Sequence, residues 1–147
     1  MLFRSGIAFF VLKYRMPNGN RNIPLSDAYQ AIRTVRDSSA LWKINKEEVG
    51  IMGFSAGGHL ASSVSTHAEA AVRPDFSILF YPVISMDERI SHKGSCVNFL
   101  GEERNTNKEL VEEWSNDKAV RPGVTPRAII LMSFDDKVVP PRSEERR

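Results

Sequence analysis

Short, continuously apolar runs alternate along the chain with longer stretches of helical spacing. Ile7-Ala-Phe-Phe-Val-Leu12 is apolar throughout, which predicts a strand covered on both faces, as in a parallel sheet. The turn-rich Pro17-Asn-Gly-Asn20 closes it. Ala28, Ala31, Ile32, Val35 and Trp42 then recur near helical spacing, predicting a helix from Ser26 with Leu25 as apolar lead-in. Val49–Met52, Asp75–Tyr81 (closed by Pro82) and Arg127–Met132 predict three further strands. Ser55 to about Ala68 reads as a helix rich in Ala, Ser and Gly.

Strand, helix, strand, helix, strand is the signature of βαβ units and a parallel sheet. The expected fold class is α/β: a three-layer, partial parallel sheet of about four strands, with a helical insertion between the third and fourth. More than forty residues separate those two strands, too many for a plain crossover. Residues 83–124 are expected as an insertion over the working edge of the sheet. Within them Asn107–Trp114 reads as a helix and Gly94–Gly101 as a shorter helix or turn. The 147 residues make one domain's worth of chain, 1–147.

Composition narrows the function classes. With 41% hydrophobic and 26% charged residues the chain can bury a core. The net charge of +2 divides into +6 over residues 1–46 and −4 over the rest, too diffuse for a nucleic-acid footprint. Cys96 is the only cysteine, which excludes an internal disulfide and a cysteine-rich zinc site. No apolar run approaches the roughly 18 residues of a membrane span. Arg4 and the apolar stretch after it are too short for a signal peptide, and no small-residue cleavage site follows. The three histidines show no metal-ligand spacing, and Gly57-Gly58 lack the Lys-Ser/Thr sequel of a phosphate loop. Neither a metal nor a cofactor is expected, and neither a nucleic acid nor a membrane is an expected partner.

The candidate chemistry sits in Gly53-Phe54-Ser55-Ala56-Gly57, a Gly-x-Ser-x-Gly between a predicted strand and a predicted helix. That context makes it a nucleophile elbow, in which a sharp turn lifts the serine hydroxyl above the sheet edge. Gly53 and Gly57 leave room where strand and helix approach. The helix N-terminus and the Ala56 N–H are placed to stabilise a developing oxyanion. Ser55 is the candidate nucleophile.

A serine hydroxyl needs a base, and the base an orienting carboxylate, in the chain order Ser, acid, His. Asp135 and Asp136 follow the last predicted strand. Asp136 is preferred because Asp-x-x-Val-Pro aligns it with the acid position, with Asp135 as the alternative. No histidine follows Asp136. His59 lies on the nucleophile's own helix and reads as a packed helix residue. His67 ends that helix and reads as exposed. His92, in the insertion, is the one histidine free to approach as a substitute base.

Tyr14-Arg15, Asp27-Ala28, Gly53-Phe-Ser-Ala-Gly-Gly-His-Leu-Ala61, Tyr81-Pro-Val-Ile-Ser-Met-Asp-Glu88, His92-Lys-Gly-Ser95, Asn98-Phe-Leu-Gly101 and Asp135-Asp136 with Val139-Pro140 carry a resemblance. The chain resembles α/β-hydrolases of the esterase group that includes acetylxylan esterases and related carbohydrate esterases. The elbow is specific to the fold, and Tyr81 to Gly101 is more specific to this group. The resemblance implies an acetyl-ester hydrolase acting on xylan or related carbohydrates, with Ser55 as nucleophile, Asp136 as acid and Ala56 in the oxyanion hole. It also implies that the sequence is an internal piece of a longer hydrolase. The family's His-Gly-Gly loop would precede Gly6, its Gly-His base would follow, and a last helix would be starting at Ser143–Arg147.

Three readings follow. The first is an esterase by lineage that is weakly active or inactive as it stands. The second is a non-catalytic remnant. The third is a prolyl-oligopeptidase-like peptidase, which shares the elbow and Asp-x-x-Val-Pro. A second copy of the chain is the expected cover for exposed sheet edges, and the compartment stays open.

Overall fold

The computed structural model of the chain describes residues 6–139 and residue 141. The expected helix start at Ser143 lies outside them. The elements run α1 (Asn22–Asp37), α2 (Ser39–Trp42), β1 (Gly50–Phe54), α3 (Ser55–His67), β2 (Phe76–Phe80), α4 (Lys93–Leu100), α5 (Lys108–Glu113) and β3 (Arg127–Leu131), with 3-10 turns at Ala70–Val72 and Gly101–Asn105.

The sheet is parallel, in the order β1-β2-β3. Gly50, Phe76 and Arg127 stand in register at one end, and Phe54, Phe80 and Leu131 at the other. Three strands form where four were expected. Ile7–Leu12 forms no strand and makes a single bridge, at Ala8. Its side chains stay largely exposed, Val11 at 98%, while Phe10 stacks on Trp42 with centroids 4.8 Å apart. A continuous apolar run reports that a segment suits cover on both faces; it does not supply the neighbouring strand that a ladder needs.

Helix α1 begins four residues before the expected Ser26. Pro24 sits in its first turn, where a missing N–H costs no hydrogen bond. The Ser26 hydroxyl donates back to the Ile23 carbonyl at 2.8 Å and does not cap the helix. The buried stripe of α1 is Pro24, Leu25, Ala28 and Ile32. It packs on α3, whose Leu60 and Val64 share the main core with Val49, Val83, Phe99, Leu100 and Trp114.

Helix α3 covers one face of β1 and β2, while β3 is exposed on both faces. Ala61 packs with Leu79, Ile84 and Ile51, and the Ser65 and Ser77 hydroxyls hydrogen-bond at 2.6 Å across the same layer. The opposite face carries Met52, Phe54, Ile129 and Leu131, all exposed. Among the described residues the expected three layers are therefore two.

The segment between β2 and β3 is anchored along α1 and α3. The Gly19 N–H donates to the Asn98 carbonyl at 2.7 Å, and Trp114 stacks on His67 with centroids 4.4 Å apart. Asn116 reaches α3 through the Ser62 and Ser63 hydroxyls at 2.7 and 3.0 Å. Helix α5 is capped by the Asn107 side chain, which accepts from the Leu110 N–H at 3.0 Å.

Candidate active site

Ser55 is the first residue of α3 and follows the last residue of β1 directly. It is half-buried and holds φ at +50°, the left-handed region that side chains other than glycine rarely adopt. A strand that turns into a helix without an intervening residue needs such a conformation at the junction. The surroundings explain the glycines. A Cβ on Gly53 would lie 2.2 Å from the Gly57 carbonyl oxygen, and one on Gly58 would lie 2.7 Å from Pro82 Cβ. Gly57 differs: its Cβ position is open apart from the Tyr14 hydroxyl at 3.6 Å. The close approach demands glycine at 53 and 58, with the backbone of residue 57 as one of the surfaces in contact.

The loop after β2 locks onto this turn. The Val83 N–H donates to the Ser55 carbonyl at 3.1 Å, and the Tyr81 N–H donates to the Leu131 carbonyl at 2.6 Å. Tyr81 also has positive φ, +34°, so two side-chain-bearing residues at the carboxyl edge hold uncommon backbone angles. Ala56 is exposed in the first turn of α3, where N–H groups have no intrahelical acceptor.

The loop that carries Asp136 leaves the same edge, because β1 and β3 are parallel and end in register. Its Oδ1 accepts from the Val138 and Val139 N–H groups at 2.8 and 3.0 Å. These bonds, Val139 first, hold the carboxyl below the usual carboxylate range. Val139 is buried in the main core and fastens the loop. Asp135 is exposed, and its carboxylate accepts from the Ser133 hydroxyl.

None of the three histidines hydrogen-bonds Ser55 or Asp136. His59 is buried: Nδ1 lies 2.9 Å from the Val83 carbonyl and Nε2 3.3 Å from the Ser63 hydroxyl. A neutral ring fits both, Nδ1–H donating and Nε2 accepting. Burial lowers its pKa to about 4. His67 was expected to be exposed but is half-buried, stacked on Trp114 and joined through Nε2 to the Glu113 carbonyl at 3.0 Å. His92 caps α4: its Nδ1 accepts from the Ser95 N–H at 3.2 Å and meets the Ser95 hydroxyl at 3.0 Å. Sequence reasoning assigned no part to Gly58, Val83 or Asn116; the Gly57-Gly58 doublet was the one signal available for the first of these.

A parallel sheet with a strained serine between strand and helix defines an α/β-hydrolase, and residues 3–136 match the model of an α/β-hydrolase fold family. The chain belongs to that family. It is 56% identical over 139 residues to an acetylxylan esterase of Xylanibacter ruminicola, a match covering 95% of this chain and 29% of that protein. It is 33% identical to an endo-1,4-beta-xylanase B of Butyrivibrio fibrisolvens, over 94% of this chain and 24% of that protein. Among solved structures, an acetyl ester-xyloside bifunctional hydrolase from Caldicellulosiruptor lactoaceticus superposes with a TM-score of 0.79 at 38% identity, covering 90% of this chain and 52% of that one. The chain thus spans less than a third of the length of the curated relatives it matches.

Proposed function

We propose that the chain carries the nucleophile and acid of a serine esterase that removes acetyl groups from xylan or a related carbohydrate. The positive φ of Ser55 at the β1–α3 junction carries the reading. Supporting it are the hydrogen-bonded Asp136 in the loop that leaves the same edge and the relatives whose names include acetylxylan esterase and acetyl ester hydrolase. In the reaction Ser55 Oγ attacks the acetyl carbonyl carbon while its proton passes to a base. The Ala56 N–H stabilises the oxyanion, and the sugar hydroxyl leaves with a proton. Water then releases acetate and restores the serine. Asp136 orients and stabilises the base.

The base is the group this reading lacks within the sequence given. His59, His67 and His92 are engaged elsewhere, and no histidine follows Asp136. As it stands the chain is therefore expected to be weakly active or inactive. Losing a triad member costs on the order of 10⁴ in turnover. The test is hydrolysis of p-nitrophenyl acetate by the wild type and Ser55→Ala, with equal rates near background expected. A saturable, Ser55-dependent rate would show that a base reaches the site and would overturn the inactivity.

A further inference from the structure

Ser55 and Ala56 share one peptide group: its carbonyl belongs to Ser55 and its N–H to Ala56. A trans peptide is planar, so its C=O and N–H point in opposite directions, and whatever holds the carbonyl also aims the N–H. The carbonyl is held from the loop after β2, where the Val83 N–H donates to it at 3.1 Å. Val83 is fully buried and lies past the end of β2 at Phe80. Its own carbonyl is therefore beyond the sheet ladder, and a buried carbonyl needs a donor. His59 supplies one from α3, with Nδ1 2.9 Å away. A carbonyl oxygen only accepts, so the ring proton sits on Nδ1. Asn116 Nδ2 stands 3.3 Å from the same nitrogen but has the Ser62 and Ser63 hydroxyls as acceptors at 2.7 and 3.0 Å. The ring is seated edge-on against Phe99, with centroids 4.7 Å apart. Pro82, next to Val83, packs so closely on α3 that Gly58 has no room for a Cβ.

We propose that His59 is a positioning residue for the oxyanion donor: through Val83 it holds the Ser55–Ala56 peptide group so that the Ala56 N–H points away from the buried loop. His59 touches no reacting atom. It grips Val83 by the carbonyl, and Val83 grips the Ser55 carbonyl by its N–H. A hydrogen bond accepted by the Ser55 carbonyl also polarises its peptide group, which makes the Ala56 N–H a better donor. The path runs entirely through buried side chain and backbone, His59 being 2% exposed. It therefore does not depend on what covers the outer faces of the sheet. The use of Ala56 as oxyanion donor rests on the esterase reading; the path from His59 to the peptide group does not.

NMR and amide hydrogen exchange of the full chain test it without reference to turnover, so a failed esterase assay and a failed positioning role are separate results. In the wild type at neutral pH the His59 ring nitrogens are expected to show the proton on Nδ1; a proton on Nε2 alone overturns the proposal. His59→Leu is expected to speed exchange of the Val83 N–H by about tenfold beyond any change shared with Val64, a core amide of the same helix. The Ala56 amide nitrogen, in the same peptide group as the Ser55 carbonyl, is expected to shift with it. His59→Asn keeps an N–H donor at the δ position and is expected to return most of the Val83 protection. Ser63→Ala removes the partner of Nε2 at 3.3 Å and leaves the Nδ1 donor, so it is expected to change neither signal beyond Val64. A merely structural histidine would speed Val83 and Val64 alike and leave Ala56 in place, and that result overturns the proposal. If His59→Leu loses the native far-UV circular dichroism, His59→Asn is compared with His59→Gln, whose amide sits one bond further out. Protection of Val83 kept in the first and lost in the second is expected; equal protection in both overturns the proposal.

Discussion

Ser55 holds an uncommon backbone conformation in exchange for its position at the tip of a strand. A left-handed residue with a Cβ costs roughly 1–2 kcal/mol. Glycine at 55 relieves that cost, whereas alanine keeps it. Ser55→Gly is therefore expected to be more stable than Ser55→Ala by about 1 kcal/mol, or a melting temperature about 2–4 °C higher. Thermal unfolding of the two variants side by side checks it; equal stabilities would mean the turn relaxes when the hydroxyl is removed. The motif was legible at this scale because strand, glycine, serine and helix are contiguous in the chain. The arrangement of Gly58 against Pro82 was not legible, because those residues lie 24 positions apart and meet only in the fold.

Each element's termini follow from local chemistry, and its seating follows from close approach. Strand β1 enters α3 so tightly that a Cβ at Gly53 overlaps the backbone of Gly57 and Gly58. Backbone cannot swing aside as a side chain can. Gly53→Ala is expected to destabilise the chain by on the order of 3 kcal/mol or more, seen as a lowered urea midpoint. Gly57→Ala, with only the Tyr14 hydroxyl nearby, is expected to lose much less. The three strands that pair were readable as apolar runs closed by turns or proline. Ile7–Leu12 has the same composition and forms no ladder, since pairing depends on a neighbour's position and composition cannot specify that.

At the scale of the whole molecule, a buried polar cluster joins segments far apart in sequence. His59 on α3 meets the Val83 carbonyl from the loop after β2, and Asn116 from the segment between β2 and β3 bonds Ser62 and Ser63. Burial holds the imidazole neutral and lowers its pKa to about 4, against an ordinary value of 6.5. The unfolded chain therefore binds the proton first. The stabilisation is complete above pH 6.5 and is lost as pH falls towards 4, up to about 3 kcal/mol across that window. Urea unfolding from pH 7 to pH 4 is expected to show this decline, and His59→Gln to flatten it. A decline of equal size in His59→Gln would assign it to other groups.

At this scale the division between chain and fold is plain. The sequence by itself determined the α/β class, the three strands that pair in parallel and the strand-to-helix turn at Ser55, because period, turn residues and contiguous motifs are local properties. The place of Asp136 in the loop after the last strand was legible for the same reason: it follows that strand within a few residues. His59 already read as a packed helix residue; only the tertiary structure decided its partners and the places of His67 and His92. His59 is sealed in a polar cluster, His67 lies against Trp114, and His92 is spent on a helix cap. Only the tertiary structure decided, too, that α3 covers one face of β1 and β2 while Met52, Phe54, Ile129 and Leu131 face outward. Strand patterning marks which residues share a face, but whether anything packs on that face depends on elements brought from elsewhere in space.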